Sequence, residues 1–379
     1  MRDVPIHSAD ADQPLGLDVA PAPRASPGGV RTAAVVSRRP VLSPDDLARG
    51  VARGDRATLA RAISLIESAN PRHADDAQRV LAACLPSTGH ALRVGITGVP
   101  GVGKSTFVET LGTTLTGKGH RVAVLAVDPS SGVSGGSVLG DKTRMPRLAN
   151  DPNAFIRPSP AAGTLGGVAR RTRETMLLCE AAGFDIVLVE TVGVGQSETT
   201  VSGMTDLFLA LMLPGAGDEL QGIKRGLLEL VDVIAINKAD GDNVQRASLA
   251  KAEYEAACRV MRPHADGWVA PVMLCSAKTG QGVEDLWRTI DERLAAMRTA
   301  GTLEARRQTQ ALAWVRSMVT EGISALLEGD TTVARQRHAI EQRVLDGSIT
   351  PSEGATRVLG ALRTALASEA RNRPEGNQT

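Results

Sequence analysis

Aromatic side chains are scarce in this chain, with four Phe, three Trp and one Tyr among 379 residues. Proteins that grip single-stranded nucleic acid stack bases on aromatic rings, so that mode of recognition has little support here. Charge adds no global signal. Lys and Arg number 43 against 42 Asp and Glu, and a net charge of +1 sets up no field to gather a polyanion or a membrane surface. Neither nucleic acid nor membrane is expected as a partner. No apolar run reaches the roughly 20 residues needed to cross a bilayer. Residues 1–40 lack a hydrophobic signal core, and Asp3, Asp10, Asp12 and Asp18 argue against an import peptide. The four cysteines, Cys84, Cys179, Cys258 and Cys275, lie far apart without a C-x-x-C pair, and the six histidines form no ligand cluster. Buried free thiols in a reducing compartment are expected, with cytoplasm as the default location.

Glycine, by contrast, is plentiful and placed with purpose. Behind the apolar run Leu92 to Ile96 stands Gly98-Val99-Pro100-Gly101-Val102-Gly103-Lys104-Ser105-Thr106, of the form G-x-x-x-x-G-K-[ST]. In such a loop backbone N–H groups turn inward around phosphate oxygens, and the following helix presents its positive end. Phe107, Val108, Leu111 and Leu115 supply that helix. Lys104 is expected on the β- and γ-phosphates and Ser105 on Mg²⁺. From about residue 91 strands and helices alternate, which predicts an α/β fold with a mostly parallel sheet flanked by helices. Ligands of such sheets lie beyond the carboxyl ends of the strands.

Two carboxylates stand at strand ends on that side. Val122 to Val127 runs into Asp128, which either reaches the metal or serves as a cap or turn residue. Phe184 to Val189 runs into Glu190-Thr191-Val192-Gly193. A carboxylate at Glu190 accepts hydrogen bonds from metal-bound water, Gly193 offers a backbone N–H to the γ-phosphate, and Gln196 is a weaker candidate for orienting the attacking water. The Gly-rich stretch from Asp128 to Met145 is a candidate switch loop. Within it Asp141 is a candidate for Mg²⁺ or its waters and Arg144 for bracing phosphate or loop, against the alternative of solvated surface charges. A second loop, Pro214 to Lys224, carries Asp218 and Lys224; it either senses nucleotide or partner, or is an inert connection.

At the other end of the site, Val233 to Ile236 leads into Asn237-Lys238-Ala239-Asp240. The Asp240 carboxylate accepts two hydrogen bonds from guanine's ring N–H and exocyclic amine, which adenine cannot supply. Lys238 lays its stem over the purine, and Asn237 ties the loop to the phosphate loop. Ser276-Ala277-Lys278, after the strand Val272 to Cys275, fits a loop whose backbone amides meet the guanine oxygen. Together these motifs select GTP and GDP over adenine nucleotides.

Outside this core the chain divides into an aperiodic tail (1–41), read as disordered, a helical extension (42–90), the nucleotide domain (91–300) and a C-terminal helical arm (301–379). Ser43-Pro44-Asp45-Asp46 starts a helix whose spacing continues through Leu59, Ile63 and Ile66 to Asn70-Pro71, and a second short helix carries Val80, Leu81, Cys84 and Leu85. In the arm, Leu312, Val315, Val319, Ile323 and Leu326 form one apolar stripe, and Thr350-Pro351-Ser352-Glu353 opens the last helix. The stripe either folds back on the domain or builds a dimer.

Taken with D-P-S-S, G-G-S-V-L-G-D-K-T-R-M, I-R-P-S-P, E-T-V-G-V-G-Q-S-E and L-P-G-A-G-D-E-L-Q-G-I-K, all in order, the phosphate loop and N-K-A-D make the sequence resemble the methylmalonyl-CoA mutase-associated GTPases. Older labels call relatives of that family arginine/ornithine transport kinases. The similarity runs from about residue 42 to the C-terminal helices. It implies a P-loop G protein, homodimeric, that binds an adenosylcobalamin-dependent methylmalonyl-CoA mutase, gates cofactor loading and protects the mutase from inactivation. It also implies a phosphate and Mg²⁺ site of Lys104, Ser105, Asp128, Asp141 and Glu190. Guanine falls to Asn237, Lys238, Asp240, Ser276 and Ala277, and Asp218 and Lys224 belong to a loop that rearranges when the mutase docks. Rival readings are a kinase acting on an amino-acid transport component and a metal-delivery GTPase.

Overall fold

The computed structural model describes residues 42–68, 70–127, 144–158, 165–191, 197–215, 225–261, 263–264, 266–329 and 331–372. The expected disordered tail and most of both candidate switch loops lie outside the described residues. From Leu42 onward the chain belongs to one compact unit.

Seven strands form one sheet: β1 (Leu92–Gly98), β2 (Val122–Val127), β3 (Ala154–Arg157), β4 (Ile186–Thr191), β5 (Leu207–Met212), β6 (Val233–Ile236) and β7 (Val272–Leu274). Their order is β3-β2-β4-β1-β5-β6-β7, and every pair is parallel. Burial on both faces explains why these strands read as unbroken apolar runs. Along β5 the two-residue period divides the side chains: Leu207, Leu209 and Leu211 enter one core, Phe208, Ala210 and Met212 the other. The first core is closed by the helix Lys104–Gly117, through Phe107, Leu111 and Leu115, and by the helix Val283–Thr299, through Leu286, Ile290 and Leu294. The opposite core takes the N-terminal helices together with the helices Leu165–Ala181 and Val244–Val260. All four cysteines are free and buried. No helix among the described residues is long and apolar enough to cross a membrane.

The sequence reading needs one correction in the N-terminal extension. The stripe expected as one helix as far as Asn70 is split into Pro44–Ala52 and Arg56–Ile66. Gly54, at φ 74°, turns the chain between them, and the Asp55 carboxylate caps the second helix by accepting the Ala57 N–H at 2.9 Å. The start at Ser43 is as read, with a reciprocal cap in which the Asp46 N–H donates to Ser43 Oγ at 3.1 Å. Strand β4 also continues past Val189 through Glu190 and Thr191, because Glu190 still finds register partners in Ile96 of β1 and Ala126 of β2.

The helix Thr302–Gly329 is fastened at its base to the amino end of the sheet. Asp206 and Asp232 immediately precede β5 and β6, and both are fully buried. Arg307 grips Asp206 through two bonds of 2.6 and 2.7 Å and also donates to the carbonyls of Gly89 and Ala91. Arg306 makes a looser pair with Asp232 at 3.2 Å. Backbone N–H groups of Arg93 and Phe208 complete the two carboxylates. Farther along the same helix the predicted stripe does not fold back: Leu312, Val315, Val319, Ile323 and Leu326 remain 42–61% exposed. The last helix, Pro351–Asn372, is capped by Thr350 Oγ1, which accepts the Glu353 N–H at 3.2 Å. Removing one partner of a buried ion pair leaves the other charge uncompensated. Arg307→Ala is therefore expected to destabilise the fold by about 3–5 kcal/mol, read as a lower urea midpoint with an unchanged slope.

Candidate nucleotide-binding site

Strand β1 lies at the point where the chain turns from one side of the sheet to the other, the position at which open α/β sheets hold ligands. Its last residue, Gly98, opens the phosphate loop, and only a residue without Cβ fits there, since a Cβ would sit 2.5 Å from the Leu211 carbonyl oxygen. Gly103 closes the loop at φ 94°, just before the helix begins at Lys104. Lys104 Nζ donates to the Gly98 carbonyl at 2.6 Å and more weakly to that of Val99 at 3.4 Å. Burial draws its ammonium below the ordinary lysine range, while the carboxylates of Glu190 and Glu198 oppose that shift. Glu198, in the short helix Ser197–Ser202, is buried and was not singled out from sequence.

The two described metal candidates meet. Ser105 Oγ donates to Glu190 Oε1 at 3.2 Å, bringing a hydroxyl and a buried carboxylate to the first turn of the helix. A hard oxygen pair of this kind suits Mg²⁺. Beside it, β1 and β4 are joined by a bond from Thr191 Oγ1 to Thr97 Oγ1 at 3.0 Å, with both residues fully buried. Asp128, Asp141, Gly193, Gln196, Asp218 and Lys224 lie outside the described residues. Arg144 is described and exposed.

At the carboxyl end of β6 the residues read from sequence as candidates for base recognition are tied back to the phosphate loop. The buried Asn237 donates from Nδ2 to the Val102 carbonyl at 2.8 Å, and its Oδ1 accepts the Ala277 N–H at 2.9 Å. Lys238 reaches Gly101 O at 2.7 Å and, at φ 59°, has the only positive φ of a non-glycine among the described residues. Such a sparsely populated conformation persists where surrounding bonds hold it. Ser276 Oγ donates to Asp240 Oδ2, and the Thr279 N–H donates in turn to Ser276 Oγ at 3.2 Å. Val99, Pro100, Gly101, Val102, Gly103, Thr106, Ala277 and an exposed Lys278 complete the set read from sequence. One participant was read only as a buried thiol: Cys275 Sγ points to Asn237 Oδ1 at 3.7 Å. Burial pushes that thiol up to about 12, so it keeps its proton and donates. Asn237→Ala strips partners from the Val102 carbonyl and the Ala277 N–H together. Chemical denaturation without nucleotide is expected to show a loss of about 1–3 kcal/mol.

Comparison with known proteins finds relatives along most of the chain. The family model described as "Methylmalonyl Co-A mutase-associated GTPase MeaB" matches residues 59–332. A protein of Mycobacterium tuberculosis named a probable GTPase is 52% identical over 315 residues, covering 83% of this chain and 94% of that protein. The mouse protein named methylmalonic aciduria type A homolog, mitochondrial, is 46% identical over 330 residues, covering 84% of this chain and 80% of its own. Among solved structures, one titled LAO/AO transport system kinase superposes with a TM-score of 0.69 at 39% identity, covering 84% of this chain and 97% of that one.

Proposed function

The chain belongs to the methylmalonyl-CoA mutase-associated GTPase family, and from that premise we propose that it is a slow, partner-stimulated GTPase that serves an adenosylcobalamin-dependent methylmalonyl-CoA mutase in the cytoplasm. In this reading residues 42–90 form a helical extension, 91–300 the GTPase domain and 301–379 an arm through which two copies associate. The observation that carries the proposal is the pairing of two ends on one scaffold: Ser105 meets Glu190 at one end, and at the other Asn237 and Lys238 are bonded to the phosphate loop while Ser276 is bonded to Asp240 beside them.

Each residue then has a task. Asp240 accepts the guanine ring N–H and amine, and the loss of that pair rejects adenine. Lys104 exchanges the carbonyls of Gly98 and Val99 for the β- and γ-phosphates, where a full charge acts as transition-state stabilisation. Ser105 and Glu190, with Asp128 and Asp141, hold Mg²⁺, which supplies further neutralisation of phosphate charge. Gly193 and Gln196 serve the γ-phosphate and the attacking water, and Asp218 and Lys224 close on the nucleotide when the mutase docks. Nucleotide state gates cofactor loading and protects the mutase only through contacts that differ between the GTP and GDP forms. The exposed stripe from Leu312 to Leu326 is the apolar surface that a second copy covers.

Three measurements test this. Titration should show GDP bound well ahead of ADP, and Asp240→Asn, which keeps one acceptor oxygen and replaces the other with a donor, should narrow that preference by about 100-fold, the size of one charge-assisted hydrogen bond. Hydrolysis of γ-labelled GTP should release inorganic phosphate; label carried onto a protein or amino-acid acceptor would favour a kinase instead. Val319→Glu, which places a charge in the exposed stripe, should shift a dimer to monomer in sedimentation while leaving GDP affinity in place.

A further inference from the structure

The helix that follows the phosphate loop carries threonines at 106, 110, 113, 114 and 116. A threonine inside a helix ordinarily turns its hydroxyl back onto a carbonyl of the preceding turn. Thr113, Thr114 and Thr116 do so, donating to Glu109, Thr110 and Thr113 at 2.8 to 3.2 Å. Thr110 does not. Its Oγ1 leaves the helix and donates to the carbonyl of Ala277, 167 residues away, at 2.7 Å.

That carbonyl belongs to the loop read as meeting the guanine oxygen. Neighbouring atoms of the same loop have other partners. The Ala277 N–H is bonded to Asn237 Oδ1, and the Ser276 N–H donates to the Gln281 carbonyl at 2.9 Å. Thr110 is the only one of these bonds that comes from the helix bearing Lys104 and Ser105. The base loop is thereby referenced to the phosphate-binding helix by a bond independent of Asn237 and Lys238.

On the guanine-nucleotide reading above, we propose that Thr110 is a positioning residue for base recognition, holding the Ser276-Ala277-Lys278 loop at the height above the phosphate helix that guanine requires. It touches no nucleotide atom. It acts by fixing one peptide carbonyl, and through it the orientation of the backbone on either side. A base with an oxygen at position 6 benefits from that orientation, whereas adenine, which presents an amine there, does not.

Thr110→Val keeps the shape and removes the donor, and Thr110→Ser restores it. Binding of GDP and ADP is measured by titration for the full chain and each variant, with thermal melting alongside. Thr110→Val is expected to weaken GDP about fivefold, the size of one neutral hydrogen bond, and to leave ADP within about twofold, while Thr110→Ser returns GDP affinity to the parent value. Equal weakening of GDP and ADP, or no change in GDP, overturns the inference while the guanine reading stands. A parent chain that shows no preference for GDP overturns the guanine reading and this inference with it. Should Thr110→Val fail to fold, Thr110→Ala carries the same comparison.

Discussion

The carboxamide of Asn237 is the point on which the site depends. One buried side chain ties the end of β6 to two segments remote from it in sequence: it donates to Val102 of the phosphate loop, and it accepts from the Cys275 thiol and the Ala277 N–H just beyond β7. Buried polar groups are retained only when paired, and removing a partner costs more than making the bond gains. The same bonds that keep Asn237 inside the protein therefore set the distance between the phosphate loop and the Ser276-Ala277-Lys278 loop. Lys238 adds a further tie to Gly101 at the expense of a left-handed backbone.

The sheet has two differently built ends. At the carboxyl ends of the strands, glycines, amides and short polar side chains make a surface shaped for a ligand. At the amino ends, Asp206 and Asp232 are sealed by Arg307 and Arg306 from the arm helix. Those aspartates begin the strands that run toward the second candidate switch loop and toward Asn237. The helix Thr302–Gly329 is thus joined at its base to the amino end of the sheet by buried ion pairs, and the apolar stripe beyond the clamp is left exposed.

Much of the site was legible because its chemistry is local. The phosphate loop needs glycine where a Cβ would strike Leu211, and lysine and serine at fixed steps into the helix, so the motif carries its own geometry. The Asn-Lys-x-Asp element reads equally well once it follows a strand. Other parts were less legible. The break at Gly54 was missed because the apolar spacing on either side of it continues as if the helix did. Glu198, Thr97 and Thr191 left no pattern, since a buried charge or a buried hydroxyl pair is recognised only once the neighbouring strands and helices are placed.

The sequence by itself determined the alternation of strands and helices, the order of the nucleotide motifs and the residue types at each position of those motifs. Each of those follows from short-range backbone geometry and from the two- or 3.6-residue period of burial. The tertiary structure alone decided which distant atoms hold those motifs in register: Thr110 with Ala277, Cys275 with Asn237, and Arg307 with Asp206. Such pairs have no period and no characteristic spacing, because a hydrogen bond between remote segments depends on where the packed sheet and its helices bring them.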